Sequence, residues 1–214
     1  LSYLHRWDKS VPIADSVAAL AEAVDAGKIG AIGLSEVSVA RLREAQQVAP
    51  IAAVQNEYSL WSRNAELGML EATKADGIAL VAFSPVARGF LADAVHNPEE
   101  LVAKDIRRGM PRFQSPHWEA NAALLPAWRA LAAEAGVSPA QLALAWLSSR
   151  GEHVVPIPGT TNIDHLREII AAAQLEVTPD ILERAGELIG TEADVEAETL
   201  GHRCGRGSKW GSTG

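Results

Sequence analysis

The sequence predicts an α/β fold built on a parallel β-sheet covered by helices. Three observations predict it. Short apolar runs alternate with longer amphipathic stretches along most of the chain. The short runs are apolar throughout instead of alternating with polar residues, as in strands buried on both faces. Polar residues and a glycine sit just after these runs: His5, Ser35, Gln55, Ser84 and Gly159. Functional groups at the carboxyl ends of successive parallel strands suit a (β/α)8 barrel, and a doubly wound sheet places its ligand there as well. No run is followed by the G-x-G-x-x-G turn of a dinucleotide-binding doubly wound sheet, and the Gly201 to Gly207 cluster has the wrong spacing and no strand before it.

The elements follow in order. Ser2 to Leu4 reads as the end of a strand, followed by His5, Arg6, Trp7 and Asp8. Ile13, Val17, Leu20 and Val24 recur at helical spacing, and Gly27 fits a helix C-cap. Ala31 to Leu34 is a strand. Val39 to Val48 is a helix that Pro50 ends, and Ile51 to Gln55 is the next strand. Glu66 to Lys74 is a helix and Ile78 to Phe83 a strand. Ser138, Pro139 and Gln141 form a helix start, with Ser as N-cap, Pro at N1 and Gln at N3. Val154 to Ile157 is a strand, Ile163 to Ala172 a helix, and Thr178-Pro179 opens a last helix through Ile189. Five strands result, around residues 3, 32, 53, 81 and 155, whereas a closed barrel needs eight. Leu1 to Leu4 already reads as the tail of a buried strand, so the sequence reads as cut at its front.

Two regions lie outside this repeat. Residues 84–122 read as a long loop insertion rich in Arg, Pro and aromatics, the kind of loop that is functional or disordered. Residues 191–214 read as a C-terminal tail, Gly-rich and polar from residue 200, beside a barrel domain over 1–190. Of the 214 residues, 48% are apolar and 21% charged, which argues against disorder, collagen or coiled coil. The net charge of -8 with no basic stripe argues against a nucleic-acid partner, and no apolar run is long enough for a membrane helix. The single Cys204 excludes an internal disulfide, and a thiol-poor chain with no signal peptide suits the cytoplasm.

Metal-ligand spacing is missing: there is no H-E-x-x-H and no Cys pair, so no metal site is expected. Gly33-Leu34-Ser35-Glu36-Val37 fails as a nucleophile elbow because Val37 stands at the second glycine. His5 either bonds a neighbour in a half-buried position or orients a substrate carbonyl at a barrel mouth. Gln55-Asn56 and Ser35 either cap loop backbone or read a carboxamide, which offers one acceptor and two donors. Phe83 is either core or a face on which a planar ring stacks. Pro158-Gly159-Thr160-Thr161-Asn162 leads into a helix, and its N–H groups and hydroxyls suit either an ordinary capped turn or a phosphate.

These same segments resemble the aldo-keto reductase family. The resemblance runs through Tyr3-Leu4-His5-Arg6, Ile32-Gly33-Leu34-Ser35-Glu36, Gln55-Asn56-Glu57-Tyr58-Ser59 and Phe83-Ser84-Pro85-Val86-Ala87-Arg88-Gly89-Phe90-Leu91. It continues through Met110-Pro111-Arg112-Phe113, Gln141-Leu142-Ala143-Leu144-Ala145-Trp146 and Ile157-Pro158-Gly159-Thr160, in order, over residues 1 to about 190. It implies a (β/α)8 barrel of which this chain holds about five of the eight β/α units. It implies reduction of aldehydes and ketones to alcohols by hydride transfer from NADPH, with a small carbonyl compound as substrate. His5 would orient the substrate carbonyl. Ser35 and Gln55 would hold the nicotinamide carboxamide with Glu36 beside them. Phe83 would stack on the nicotinamide, where the family usually has Tyr. Ser84, Pro85, Val86, Arg88 and Gly89 would line the pyrophosphate. Gly159, Thr160, Thr161, Asn162, His165 and Glu168 would surround the adenosine 2'-phosphate end. Trp7, Trp61, Trp118 and the 107–118 loop would shape the substrate pocket.

The departures from the family pattern carry expectations of their own. Gly159 replaces a common Lys, so that loop lacks a fixed cation and NADH stays open beside NADPH. Ile169 stands where an Asn usually reads adenine. The family's catalytic tetrad is Asp, Tyr, Lys and His, and only His5 falls within this chain. Tyr3 lies inside a strand and Tyr58 in a different motif, so neither is assigned as proton donor. The alternative is a truncated, inactive member that binds nucleotide or a partner chain, with self-association through open sheet edges.

Overall fold

The computed structural model describes residues 1–190. The expected tail and Cys204 lie outside the described residues. The chain runs β1 (Ser2–Leu4), α1 (Ile13–Asp25), β2 (Ile32–Ser35), α2 (Val39–Gln46), β3 (Ile51–Glu57), α3 (Met69–Ala75) and β4 (Ala79–Phe83). It continues with α4 (His117–Ala122), α5 (Leu125–Glu134), α6 (Pro139–Ser148), β5 (Val154–Ile157), α7 (Ile163–Ala172) and a helix α8 over 179–190. The five strands form one sheet in the order β1-β2-β3-β4-β5, and every neighbouring pair is parallel. All five expected strands are therefore present, and their sequence order is their spatial order.

Local chemistry explains the helix starts. Ser38 accepts a hydrogen bond from the Arg41 N–H at 3.4 Å and caps α2. Ser138 accepts from the Gln141 N–H at 3.2 Å while the Gln141 side chain accepts from the Ser138 N–H at 3.1 Å, closing the expected capping box of α6. The expected helix from Glu66 begins later, at Met69. Gly68 adopts φ 113° directly before it, and residues Asn64–Glu66 form a separate 3-10 turn.

The stretch 84–122, read as a long loop insertion, contains short regular turns. The segment is a chain of 3-10 turns at Ala87–Gly89, Pro98–Glu100, Ile106–Gly109 and Pro111–Phe113, ending in α4. Phe90 and Phe113 pin it into an aromatic cluster with Trp61 and Trp118, with ring centroids 4.2–6.2 Å apart. Helix α5, which the sequence reading passed over, follows at once. It buries Leu125, Trp128, Leu131 and Ala132, a clear helical period.

Register divides the sheet residues between two faces. Leu34, Val54, Leu80 and Val154 lie side by side on one face, and the first three are 0% exposed. Helices α1, α3 and α6 pack against β2, β4 and β5, and these side chains join the hydrophobic core. Residues offset by one point the other way. The rows Ser35–Gln55–Val81–Val155 and Glu57–Phe83–Ile157 belong to this second face, where Val155 is 44% and Ile157 42% exposed. The Tyr3 ring lies along this face over Gly33: a Cβ at position 33 would sit 2.4 Å from Tyr3 Cε1. Glycine at 33 is the condition for that contact.

Candidate functional site

The second sheet face and the loops beyond its carboxyl edge carry most of the residues singled out in the sequence. Ser35 and Gln55 are register neighbours on β2 and β3. Ser35 is buried and Gln55 half-buried, and the Gln55 side chain hydrogen-bonds Tyr3. Burial raises the Tyr3 phenol above its ordinary value, and the Gln55 bond partly opposes that shift. Phe83 ends β4 two residues further along the same face and is half-buried. Glu36 and Asn56 turn to structural tasks. The Glu36 carboxylate accepts from the Glu57 N–H at 2.9 Å, and Asn56 Nδ2 donates to the Val37 carbonyl at 3.1 Å.

A cleft of about 830 Å³ opens beyond β4 and β5. One wall is the loop after β4, through Ser84, Pro85, Val86, Arg88 and Gly89. The opposite wall is the loop and first turns of α7, through Gly159, Thr160, Thr161, His165 and Glu168. The two segments are over 70 residues apart in sequence, and the parallel pairing of β4 with β5 brings them face to face. Asn162 stands behind this wall. Its Oδ1 caps α7 by accepting from the Asp164 and His165 N–H groups at 2.8 and 3.4 Å. Thr160 Oγ1 accepts from the Asn162 N–H at 3.1 Å. The N-terminus of α7 therefore points its positive dipole end toward the cleft.

The loop after β4 is held in an uncommon backbone shape. Ser84, Ala87 and Arg88 are non-glycine residues at φ 53°, 49° and 55°, and Gly89 follows at φ 96°. Each left-handed residue of this kind costs about 1–3 kcal/mol and persists only where its surroundings determine it. Three contacts do so. Arg88 Nη2 lies 3.5 Å from Glu57 Oε2, and Arg107 Nη1 donates to the Arg88 carbonyl at 3.1 Å. Asp93, also left-handed at φ 54°, accepts from Arg129 Nε and Nη2 at 2.6 and 3.0 Å. Arg88 Nε is buried without a hydrogen-bond partner, as is Asn56 Oδ1. Arg88 on one wall and the hydroxyls of Thr160 and Thr161 before α7 on the other are a donor set that fits a phosphate-bearing group such as NADPH.

Arg107 belongs to the stretch assigned by resemblance to the substrate pocket. It lines the cleft beyond β4 and β5. His5 follows β1 and is exposed, not half-buried. Trp61 is 3% exposed and packs against Phe90, while Trp118 is half-buried on the other side of Phe90. Trp7 stands apart from that cluster: its indole N–H donates to the Val11 carbonyl at 2.6 Å and the Arg41 guanidinium covers its ring at 4.5 Å. Tyr58 is fully buried, donates to Glu66 Oε1 at 2.9 Å and meets Trp146 edge-on. Burial, then the Glu66 charge, push its phenol well above the ordinary range. Among the described residues no group of three His, Cys, Asp or Glu could hold a metal ion, and no helix is long and apolar enough to cross a membrane.

Two residues important to this geometry, Arg107 and Glu57, were not singled out from sequence. Arg107 pairs locally with Asp105, but its bond to the Arg88 carbonyl and its place on the cleft wall span a chain of turns. Glu57 stood inside a quoted motif, and its role as a carboxylate between Arg88 and Arg112 (both at 3.5 Å) depends on tertiary placement.

A parallel strand-helix fold with a cleft beyond the carboxyl ends of its strands defines an α/β protein, of the barrel or the doubly wound kind. A model of the Aldo/keto reductase family matches residues 1–189, and the chain belongs to that family. It is 36% identical over 98% of its length to the aldo-keto reductase yakc [NADP(+)] of Schizosaccharomyces pombe, and spans 62% of that protein. Its fold is similar to that of a glycerol dehydrogenase from Gluconobacter oxydans, with TM-score 0.80 and 23% identity, over 89% of this chain and 58% of the other. It is also similar to a thermostable aldo-keto reductase solved with the inhibitor epalrestat, with TM-score 0.68 and 25% identity, over 87% and 58%. Against these barrels, the five-stranded sheet is part of a barrel.

Proposed function

We propose that this chain is the cofactor-binding portion of an NADP(H)-dependent carbonyl reductase. The observation that carries this reading is the cleft between the loop after β4 and the start of α7, with Phe83 ending β4 directly before its first wall residue, Ser84, on the sheet face that also carries Ser35 and Gln55. The NADP(+) in the name of the yeast relative supports the choice of cofactor. When bound, the nicotinamide supplies a hydride to a carbonyl carbon. Ser35 and Gln55 hold the carboxamide and so select which ring face is presented. Phe83 offers the ring a flat apolar surface and excludes water beneath it. Ser84, Val86 and Gly89 shape the pyrophosphate wall, and Arg88 supplies its cation. Thr160, Thr161 and His165 line the adenosine end at the N-terminus of α7. His5, exposed after β1, orients the carbonyl oxygen of a small aldehyde or ketone. A single-cysteine, disulfide-free composition supports a cytoplasmic setting.

General-acid help is the part this chain does not supply from the residues described. Tyr58 is on the far side of the sheet in a bond to Glu66, and Tyr3 is bonded to Gln55. The Asp, Tyr and Lys that the resemblance implies are not assigned to any of the described residues. Losing a positioned proton donor costs roughly 10²–10⁴-fold in rate. The chain on its own is therefore expected to bind NADPH and not to turn over an aldehyde. Fluorescence titration with NADPH tests the binding. The reading fails if NADPH leaves tryptophan fluorescence and calorimetric heat unchanged.

A second reading rests on a separate observation. Val155 and Ile157 on β5 and Ile163, Leu166 and Ile170 on α7 are 42–64% exposed. Such a surface supports pairing with another chain, a second copy included, through the sheet edge. Sedimentation over a concentration series tests it, and a monomer at every concentration counts against self-association.

A further inference from the structure

We infer that Arg107 is a positioning residue for the nucleotide loop: clamped by Asp105, it holds the Arg88 carbonyl and fixes the left-handed turn at residues 87–88 that shapes the phosphate cleft. The consequence for ligand binding rests on the nucleotide reading above, while the structural role does not. All three nitrogens of the Arg107 guanidinium donate within the protein. Nε donates to Asp105 Oδ1 at 2.9 Å, Nη2 to Asp105 Oδ2 at 2.7 Å and Nη1 to the Arg88 carbonyl at 3.1 Å. Asp105 also accepts from the Arg107 N–H at 2.9 Å, so the side chain and its own backbone are locked together. The guanidinium lies over Gly89 as well: a Cβ there would sit 3.3 Å from Nη1.

Geometry favours the positioning role: both edges of the Arg107 fork that these bonds use face the protein, one to the Asp105 carboxylate and one to the Arg88 carbonyl. Its carbonyl partner belongs to the residue whose φ of 55° must be maintained, next to Ala87 at 49°. The Ala87 N–H bonds the Ser84 carbonyl at 2.9 Å and the Gly89 N–H the Val86 carbonyl at 3.0 Å, so the turn moves as one unit. Without Arg107 the left-handed pair loses a contact on its carbonyl side, and the loop gains access to relaxed shapes that do not line the cleft.

The test compares Arg107→Ala, Arg107→Lys and Arg107→Ala with Ala87→Gly, using amide hydrogen exchange of the unliganded protein and NADPH affinity. Arg107→Ala is expected to speed exchange of residues 86–94 about tenfold and to weaken NADPH binding by about the same factor, the scale of one charge-assisted hydrogen bond. Arg107→Lys is expected to behave likewise, because an ammonium cannot reproduce the fork. Ala87→Gly removes the left-handed penalty at that position and is expected to restore most of the lost affinity. Unchanged exchange in Arg107→Ala, or an affinity loss that Ala87→Gly leaves in place, overturns the positioning role and marks Arg107 as a direct phosphate contact. If the unaltered chain binds no NADPH, the cofactor reading falls and the exchange comparison alone decides the role of Arg107.

Discussion

The two faces of the sheet divide the labour of this molecule. On the helix side, Leu34, Val54 and Leu80 are wholly buried, and α1, α3 and α6 close over their row. On the opposite side, the neighbouring row runs Ser35, Gln55, Val81 and Val155, mixing polar with half-exposed apolar groups. One residue along a strand separates a core position from a site position, because successive side chains point to opposite faces. Stability is concentrated on the first face, which leaves the second free to carry the Ser35–Gln55 pair and the Phe83 ring, next to the cleft beyond β4 and β5.

The largest expected effect tests that division directly. Leu80→Ala on the core face should cost about 2–5 kcal/mol in chemical denaturation, while Val81→Ala next to it should cost far less. Equal losses would break the comparison. Gly33→Ala should cost about 1–3 kcal/mol, because the added methyl meets the Tyr3 ring. The double variant with Tyr3→Leu should recover most of it, and a double-mutant cycle measures the coupling. On the site face, Gln55→Ala combined with Thr160→Ala should weaken NADPH binding at least about tenfold, the worth of a lost hydrogen bond or two, with an unchanged melting temperature. Binding equal to that of the unaltered chain would move the cofactor elsewhere. Asn162→Ala removes the α7 cap and should cost about 1 kcal/mol of stability.

The smallest effect is a pH dependence. Hydrogen bonds from the Arg107 side chain and N–H hold the Asp105 carboxyl at about 2, below its usual 3.8. A folded-state value lowered in this way stabilises above the unfolded value, and that contribution is lost as pH falls from about 4 toward 2. Exchange of residues 86–94 should therefore accelerate over that window, and Arg107→Ala should remove the dependence. An identical acid profile in both proteins would detach Asp105 from the loop.

Much of this organisation was legible before any tertiary contact was known. The five strands are marked by apolar runs, and the start of α6 by Ser138-Pro139 and Gln141, because those signals act over a few residues. Helix α5 was legible too: Leu125, Trp128 and Leu131 carry its period, and the Arg- and Pro-rich stretch before it drew the reading away. The turn at Asn162 was open between capping and phosphate recognition. The structure shows the Asn162 side chain capping α7 while its neighbours line the cleft. The resemblance assigns Trp7 and Trp61 to the substrate pocket, and their contacts, Arg41 over Trp7 and Phe90 against Trp61, became visible only in the tertiary structure.

By itself the sequence determined the elements, their order, and the residue types waiting at the strand ends. These follow from local propensity and from the period of apolar residues. Tertiary structure decided which of those residues meet. Parallel pairing of β4 with β5 brings the two walls of the cleft together, and the register of β2 on β3 sets Ser35 beside Gln55. Arg107 reaches a left-handed carbonyl across a chain of 3-10 turns. Such meetings depend on the twist and register of a whole sheet and on the path of a long segment over it, and no local pattern encodes them.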